Sequence, residues 1–269
     1  MPKLTFPVWL SDLDGTLYAG ARAAPGAKEV LNFIRGSGRR VLFVTNNSRH
    51  SAREIGGKLK GLGIDARTSD IVAATDYTGR YLRERYGRLR LSVAGSPAFE
   101  QAHRLAGHTV YPLNGHAEID AIVIGLDDAF SYERLEQIVH AVGKGAKLIA
   151  ANGDGSHPGQ DGRKVPETGA LVAAVAAASG VRADYIGKPS PHLFRYALAL
   201  GGASPAQTAM VGDNYGTDIA GGKALGLYTV WLRSSQAASA LASDADTSRA
   251  DLTVPHLLAL YRLMGGVDE

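Results

Sequence analysis

The 269-residue sequence contains no cysteine, which excludes disulfide bonds, thiolate metal sites and a cysteine nucleophile. Its eight histidines form no cluster with ligand spacing, so nothing in the sequence supports a zinc centre. Long apolar runs are also absent: the best candidate, residues 171–178, is far shorter than the ~20 residues that a membrane span needs. The first ten residues have no signal-peptide stretch. We therefore expect a cytoplasmic protein with no membrane partner.

An excess of charge of one sign is lacking as well. The 29 basic and 26 acidic residues leave a net charge of +3, which is weak evidence for a polyanionic partner. Residues 77–90 interleave arginines with tyrosines, a pattern that some nucleic-acid-binding segments share. A solvated helix face explains the same pattern, and we favour that interpretation. We therefore expect no nucleic-acid partner.

The feature that points most directly to chemistry is a pair of carboxylates, Asp12 and Asp14, directly after the apolar run 6–10. Such a run is typical of a buried strand, and Gly15 permits a tight turn behind it. Ligands of open α/β sheets bind outside the carboxyl ends of the strands, so both acids could face one pocket. Asp-Gly is also a strong hairpin signal, and these residues alone leave both interpretations open.

Strand-like and helix-like segments alternate through most of the chain, which indicates parallel sheets covered by helices. The stretch 78–182 has its own strand–helix rhythm and the size of a domain. We predict an α/β fold in which a Rossmann-like parallel-sheet core, residues 1–77 and 183–269, is interrupted by a second α/β domain, residues 78–182. The predicted core strands share an apolar character and are residues 6–10, 40–44, 184–186, 208–211 and 227–232.

Polar side chains follow two further predicted core strands. Thr45, Asn46 and Asn47 come after the strand at 40–44. Their hydroxyl and amide groups, with backbone N–H groups at a helix start, suit a phosphate, although a plain N-cap turn would look the same. Lys188 follows the strand at 184–186 and could supply a compact positive charge or be an ordinary surface lysine.

A third constellation follows the strand at 208–211. Asp213 could ligate a hard cation there, while Asp218 could equally cap the next helix. We expect this strand end to converge with those that precede Asp12, Thr45 and Lys188 on one edge of a single parallel sheet. Carboxylates, a phosphate anchor, a cation and a metal ligand would then meet in one site.

With these motifs in this order, the chain resembles the haloacid dehalogenase (HAD) superfamily of phosphohydrolases. It is most similar to subclass IIA, the NagD-like and p-nitrophenyl-phosphatase-like enzymes. The insertion lies where that subclass carries an α/β cap, and residues 121–127 also resemble the cap. One departure is residues 150–154, where many relatives have a Thr-Asn-Pro-Asp-type loop; it concerns substrate choice. The motifs that carry the resemblance are residues 12–18, 43–48, 187–189 and 212–218.

The resemblance implies a Mg²⁺-dependent phosphatase that hydrolyses small phosphomonoesters through an aspartyl-phosphate. Asp12 would be the nucleophile and Asp14 the general acid and base. The side chains of Asp12 and Asp213 and the backbone carbonyl of Asp14 would hold Mg²⁺. Asp218 and Asn214 would support the site, Asp218 by orienting a lysine or a metal-bound water. The residues expected to bind the phosphate are Thr45, Asn46, Asn47 and Lys188.

The cap is expected to choose the substrate, because core residues contact only the phosphate. The polar loop 152–163 is the best candidate, with Asp154, His157 and Arg163 as polar contacts. The partner would be a small phosphorylated metabolite, such as a sugar or polyol phosphate, phosphoglycolate or a nucleotide. The resemblance also suggests a homodimer, and the sequence leaves the oligomeric state open.

Two other functions remain at this stage. A dehalogenase of the same fold would keep Asp12 but has no need of a carboxylate at Asp14 or a metal ligand at Asp213. A catalytically silent protein that binds a phosphate ligand belongs to a different class. The set of four motifs favours the phosphatase over both.

Overall fold

The computed structural model describes residues 4–113, 118–158, 163–233 and 250–267. The chain divides into two compact units. The first unit comprises Met1–Thr45, Gly56–Val72 and Phe194–Glu269, and the second comprises Asn46–Ile55 and Ala73–Leu193. These bounds differ from the domain boundaries expected near residues 77 and 182, and that domain assignment stays a prediction.

Strands and helices alternate along the described residues, as the sequence predicts. The strands are β1 (Val8–Ser11), β2 (Tyr18–Ala19), β3 (Arg22–Ala23), β4 (Arg40–Thr45), β5 (Ile71–Ala73), β6 (Arg90–Ala94), β7 (Thr109–Tyr111), β8 (Ala121–Ile124), β9 (Lys147–Ala150), β10 (Ser156–Pro158), β11 (Lys164–Pro166), β12 (Asp184–Tyr185), β13 (Thr208–Gly212), β14 (Tyr228–Leu232) and β15 (Leu252–Val254). The α-helices are α1 (Ala27–Gly36), α2 (Ala52–Gly61), α3 (Ala74–Tyr86), α4 (Pro97–Leu105), α5 (Tyr132–Gly143), α6 (Thr168–Ser179), α7 (Pro191–Gly201), α8 (Ala220–Ala224) and α9 (Leu257–Leu263).

The sheet of the first unit has six strands in the order β15-β14-β13-β1-β4-β5. Strand β1 pairs in parallel with β4 on one side and β13 on the other, and Trp9 and Leu10 within it are fully buried. Helix α1 buries Val30, Leu31 and Ile34, which share one face at helical spacing. The predicted Rossmann-like parallel core is confirmed. Its order places the strand ends before Asp12 and Asp213 side by side.

The second unit has a parallel sheet of its own, in the order β12-β9-β8-β6-β7. Its β8 is buried throughout, as expected for a strand covered on both faces. The core beside it includes Ile122, Leu148, Val172 and Val175, the last two from helix α6. The second α/β layer arrangement expected in the middle of the chain is therefore present.

The strand before Lys188 is not where the sequence analysis placed it. We expected residues 184–186 to belong to the core sheet, but β12 pairs with β9 of the five-stranded sheet. Helix α6 packs on that sheet, and only four residues separate its end from β12. Because this connection is short, β12 lies beside β9. The expected convergence of four strand ends on one sheet edge is wrong: Lys188 follows a strand of the other sheet.

After β13 the chain forms a π-helical turn, Tyr215–Ile219, followed by the short helix α8. π-helical turns are rare in proteins, and those that occur are often found at functional sites. Among the helices of the described residues, none combines the length and the apolar composition that crossing a membrane requires.

Candidate active site

Three carboxylates of the first unit form a cluster at the carboxyl ends of β1 and β13. Asp12 follows β1 directly, and its backbone N–H donates to the Val211 carbonyl of β13 at 2.9 Å. Asp213 follows β13. One side-chain oxygen from each of Asp12, Asp213 and Asp218 lies within 4.8 Å of the others. The pairing of β1 with β13 thus brings together residues that are about two hundred positions apart in the sequence.

The turn after Asp12 is shaped around Asp213. Gly15 has φ +84°, and a Cβ atom there would lie 2.3 Å from Asp213 Oδ2. Only glycine permits this backbone conformation and this approach without strain. The buried Thr16 donates from Oγ1 to Asp213 Oδ1 at 3.1 Å. Gly15 and Thr16 thus fix the Asp213 carboxylate, a role that the sequence analysis did not assign to them.

The π-turn holds the third carboxylate. Asp218 is fully buried, and its Oδ2 accepts from the Asn214 backbone N–H at 3.2 Å. The Asn214 side chain accepts from Thr217 N–H at 3.2 Å, so Asn214 caps the turn. Trp231 Nε1 donates to the Asp213 carbonyl at 2.9 Å and ties the segment to β14. The predicted supporting residues, Asn214 and Asp218, therefore lie together beside Asp213.

Asp14 has a different environment from Asp12. Its side chain is exposed, whereas Asp12 is buried, with 8% of its surface exposed. The backbone turns back here, with Gly15 N–H donating to the Tyr18 carbonyl at 2.8 Å. Burial, and then the charges of Asp14 and Asp12, raise the pKa of the Tyr18 phenol well above its usual range. Of the two acids, Asp14 is the one that solvent can reach.

The cluster offers only oxygen donors. Hard divalent cations prefer carboxylate, carbonyl and water oxygens, so this set suits Mg²⁺ and gives nothing to a soft metal. Three carboxylates so close repel each other, and a bound cation would offset that repulsion. The donor chemistry therefore fits a hard divalent metal.

Asn46 and Lys188 form a second group, within the second unit. Asn46 Oδ1 accepts from the Lys188 backbone N–H at 2.7 Å, and its Nδ2 donates to the Lys188 carbonyl at 3.0 Å. Lys188 is 2% exposed. The neighbouring Gly187 is required for the contact, because a Cβ atom there would lie 2.6 Å from Asn46 Oδ1. The Asn46 side chain thus holds the backbone of Lys188, and its expected role in phosphate binding stays a prediction.

Thr45 and Asn47 were expected to anchor a phosphate with Asn46. Thr45 is the buried last residue of β4. The Asn47 side chain accepts from the backbone N–H groups of Arg49 and His50, at 3.0 and 2.7 Å, so it closes a turn. The Asn47 side chain thus stabilises a turn ahead of α2, and its role in phosphate binding stays a prediction.

The loop predicted to choose the substrate is anchored at its start. Asn152 donates to the Asn46 carbonyl at 2.7 Å and accepts from the Asp154 backbone N–H at 3.0 Å. Asp154 accepts from Asn46 Nδ2 at 3.0 Å. Nothing in the sequence marked Asn152 as the link between this loop and the segment around Asn46.

The rest of that loop forms a small hairpin. His157 lies on β10 and Arg163 directly precedes β11, which pairs with β10 in antiparallel fashion. His157 Nδ1 lies 2.7 Å from Glu167 Oε1, and burial raises the pKa of that glutamate. Residues 159–162 lie outside the described part of the chain. His157 and Arg163 thus belong to one hairpin, in which His157 pairs with Val165.

Comparison of the sequence with protein families gives two matches. Residues 9–109 match the haloacid dehalogenase-like hydrolase model, and residues 185–260 match a HAD-hydrolase-like model. A protein of Staphylococcus aureus named acid sugar phosphatase is 33% identical over 225 residues, covering 84% of this chain and 85% of that protein. The two models include the sequence motifs around Asp12 and Asp213.

Solved structures give a consistent comparison. The 4-nitrophenylphosphatase of Thermotoga maritima superposes with a TM-score of 0.85 at 29% identity, covering 97% of this chain and 98% of that one. A NagD-type protein gives a TM-score of 0.86 at 28% identity, over 96% and 98% of the two chains. The similarity therefore extends over both parallel sheets.

Proposed function

The chain belongs to the haloacid dehalogenase-like hydrolase family, and on that premise we propose that it is a Mg²⁺-dependent phosphatase that hydrolyses small phosphomonoesters through an aspartyl-phosphate. The observation that carries the proposal is the cluster of Asp12, Asp213 and Asp218, whose side-chain oxygens lie within 4.8 Å of one another. The names of the relatives support phosphomonoester hydrolysis as the reaction class.

Asp12 is the proposed nucleophile. Its buried carboxylate attacks phosphorus in line, a bond forms between Asp12 oxygen and phosphorus, and the bond to the leaving oxygen breaks. The side chains of Asp12 and Asp213 and the backbone carbonyl of Asp14 would hold Mg²⁺, which would supply positive charge to offset the repulsion between the Asp12 carboxylate and the phosphoryl oxygens. The close packing of Gly15 and Thr16 on Asp213 supports a fixed geometry, which is what rate acceleration by positioning requires.

Asp14 is the proposed general acid and base. It donates a proton to the leaving oxygen as the first bond breaks, and then takes one from the water that attacks phosphorus and frees Asp12. Two such steps release one alcohol and one inorganic phosphate for each ester and water consumed. The exposure of the Asp14 side chain supports the role, since both the leaving group and the water must reach it.

The phosphate oxygens are proposed to bind to Thr45 and Lys188, with backbone N–H groups near Asn46 and Asn47. The support for this assignment is the sequence motif that each of these residues belongs to. The two hydrogen bonds between the Asn46 side chain and the Lys188 backbone fit a lysine whose position matters, because a surface lysine needs no such restraint.

The first substrate class to test is sugar phosphates, because the staphylococcal relative is named for them. We keep Asp154, His157 and Arg163 as the proposed specificity residues. Asp154 also holds Asn46, so its substitution acts on the position of Lys188 as well as on any substrate contact.

A hydrolysis screen tests the proposal. Purified protein is incubated with a panel of phosphomonoesters and p-nitrophenyl phosphate, in Mg²⁺ and in EDTA, and released phosphate is measured. We expect turnover in Mg²⁺, its loss in EDTA, and its return when Mg²⁺ is added back. The Asp213→Ala variant should need more Mg²⁺ or show no turnover. Full activity in EDTA would contradict the metal assignment, and no turnover on any ester would favour a binding protein.

A further inference from the structure

A charged cavity lies in the first unit, at the ends of the sheet strands opposite to those that Asp12 follows. It has a volume of about 360 Å³ and is formed by the end of α1, the start of β4 and the segment after α2. Four arginines and two aspartates line it: Arg35, Arg39, Arg40, Arg67, Asp65 and Asp70. The lining therefore carries two positive charges in excess.

Asp70, one of the two acids already counted in this balance, positions two of the arginines. Its carboxylate is buried, with 4% of the side chain exposed. Oδ1 lies 3.2 Å from Arg40 Nη2 and Oδ2 lies 2.7 Å from Arg67 Nε. A buried carboxylate that bridges two guanidinium groups fixes their direction, as the partners of binding-site arginines commonly do.

Arg35 and Arg39 supply the excess charge. Arg39 donates from Nη1 to the Leu4 carbonyl at 2.9 Å, and the Arg35 guanidinium lies 5.8 Å from the centre of the Phe43 ring. Within the described residues, neither has a carboxylate oxygen within ion-pair distance. Both residues are partly buried, and both line the cavity.

Arg40 has an unsatisfied buried donor, which indicates that this cluster is not arranged for stability alone. Its Nη1 donates to the Leu200 carbonyl at 2.6 Å, but its Nε is buried without a hydrogen-bond partner among the described residues. A buried donor without an acceptor costs free energy, and such costs are typically retained where a group has a function.

From these observations we propose that this cavity, defined by Arg35, Arg39, Arg40 and Arg67, is a second binding site that takes a small metabolite carrying a phosphate or pyrophosphate group. A guanidinium fork matches phosphate oxygens in pairs. The two excess charges match the roughly two negative charges of a phosphomonoester at neutral pH. The volume falls in the range of small-molecule sites, so it has room for an organic part beyond the phosphate.

The cavity is separate from the proposed catalytic cluster. Arg40 is the first residue of β4 and Thr45 the last. Five residue steps at about 3.3 Å each place these two ends of the strand roughly 17 Å apart. Asp12 follows β1, which is parallel to β4, so it lies at the Thr45 end. The second site can therefore be occupied by one ligand while another is hydrolysed.

The test is a calorimetric titration of the full-length protein in EDTA with inorganic pyrophosphate, with inorganic phosphate, and with citrate at matched ionic strength. We expect pyrophosphate to bind at one site per chain. Binding should weaken tenfold or more in Arg35→Gln/Arg39→Gln, because hydrogen bonds to a charged ligand are lost. Arg195→Gln, which removes an exposed arginine of α7, should leave it unchanged.

Further variants separate the outcomes. Asp12→Ala should still bind pyrophosphate if the site is the arginine cavity, and Arg39→Lys should bind with intermediate affinity because it keeps the charge without the fork. Circular dichroism and turnover of p-nitrophenyl phosphate confirm that each arginine variant is folded. Three results would overturn the proposal: no saturable binding to the wild-type protein, equal binding by the arginine double variant, or citrate binding as tightly as pyrophosphate.

Discussion

Asn46 holds Lys188 by both of its backbone groups, across 142 positions of sequence. The amide oxygen accepts the Lys188 N–H at 2.7 Å, and the amide nitrogen donates to the Lys188 carbonyl at 3.0 Å. The same nitrogen lies 3.0 Å from Asp154 Oδ2. One side chain thus connects the predicted phosphate-binding lysine with the predicted specificity loop. A substitution of Asn46 should therefore alter the position of both.

We expect Asn46→Ala to raise KM about tenfold. The substitution leaves the buried Lys188 N–H without its acceptor, a cost of about 1–3 kcal/mol, and frees the lysine to move. Steady-state kinetics measures the effect. Asn32→Ala, an exposed amide on α1, is the control and should leave KM within about twofold. A fall in thermal stability with unchanged KM would show that Asn46 is only structural.

Gly15 and Gly20 give a matched pair for testing the carboxylate cluster. Both have positive φ, +84° and +58°, but a Cβ atom at Gly15 would lie 2.3 Å from Asp213 Oδ2, whereas one at Gly20 meets nothing within 4 Å. Gly15→Ala should therefore raise the Mg²⁺ concentration needed for half-maximal activity, because it displaces Asp213.

Gly20→Ala carries the backbone strain without the clash, and its Mg²⁺ dependence should match that of the wild-type protein. A Mg²⁺ titration of activity for both variants decides the matter. Identical titrations for the two would mean that the contact between Gly15 and Asp213 has no part in metal binding.

Because His103 is buried, we expect the protein to lose stability in acid. Burial lowers its pKa from 6.5 to about 4, while its Nδ1–H donates to the Phe99 carbonyl at 2.7 Å. Because the folded pKa lies below the unfolded one, the unfolded state binds the proton first as the pH falls. The contribution of His103 to the free energy of unfolding is therefore fully present above about pH 6.5. It falls by about 3 kcal/mol as the pH decreases towards 4.

Urea unfolding at several pH values measures the effect. His103→Leu should be less stable at pH 7 but should lose less stability between pH 7 and pH 4.5. His108, whose pKa burial also lowers, leaves some dependence in that variant. His140→Gln, at an exposed position on α5, should follow the wild-type curve. A curve for His103→Leu parallel to that of the wild type would refute the prediction.

The loop residues His157 and Arg163 should control which ester is preferred. Their substitution by alanine is expected to change the ranking of a phosphomonoester panel while the Mg²⁺ dependence stays the same, because core groups contact only the phosphate. Asp154→Ala should also raise KM for every ester, since it removes an acceptor of Asn46. If the ranking is unchanged while all rates fall together, specificity lies elsewhere in the cap.

The apolar runs were sufficient to predict most of the architecture. β1, β4 and β13 are buried strands with a continuous apolar composition, and the acids after β1 and β13 were predicted to meet. The two-residue β12 has no such pattern of its own. Its partner is set by where α6 ends, and sequence reasoning assigned it to the wrong sheet.

Side-chain roles were harder to predict than strands. The hydrogen bonds between Asn46 and Lys188 join residues far apart in the sequence, and an amide gives no local sign of its partner. Thr16 could have been suspected, because it stands within the first motif, but its bond to Asp213 depends on the pairing of β1 with β13. Such contacts follow from tertiary packing, which spacing along the chain does not encode.

The central claim, that Asp12 carries the phosphoryl group, is tested most directly by trapping the intermediate. The Asp14→Asn variant should turn over about 10²–10⁴-fold more slowly, because general acid and base catalysis is lost. Mixing it with substrate and Mg²⁺, quenching in acid and measuring the intact mass should reveal one added phosphoryl group. Peptide mapping should place that group on Asp12, and Asp12→Asn should show neither the adduct nor turnover. Near-normal turnover of Asp12→Asn, or an adduct on another residue, would contradict the account.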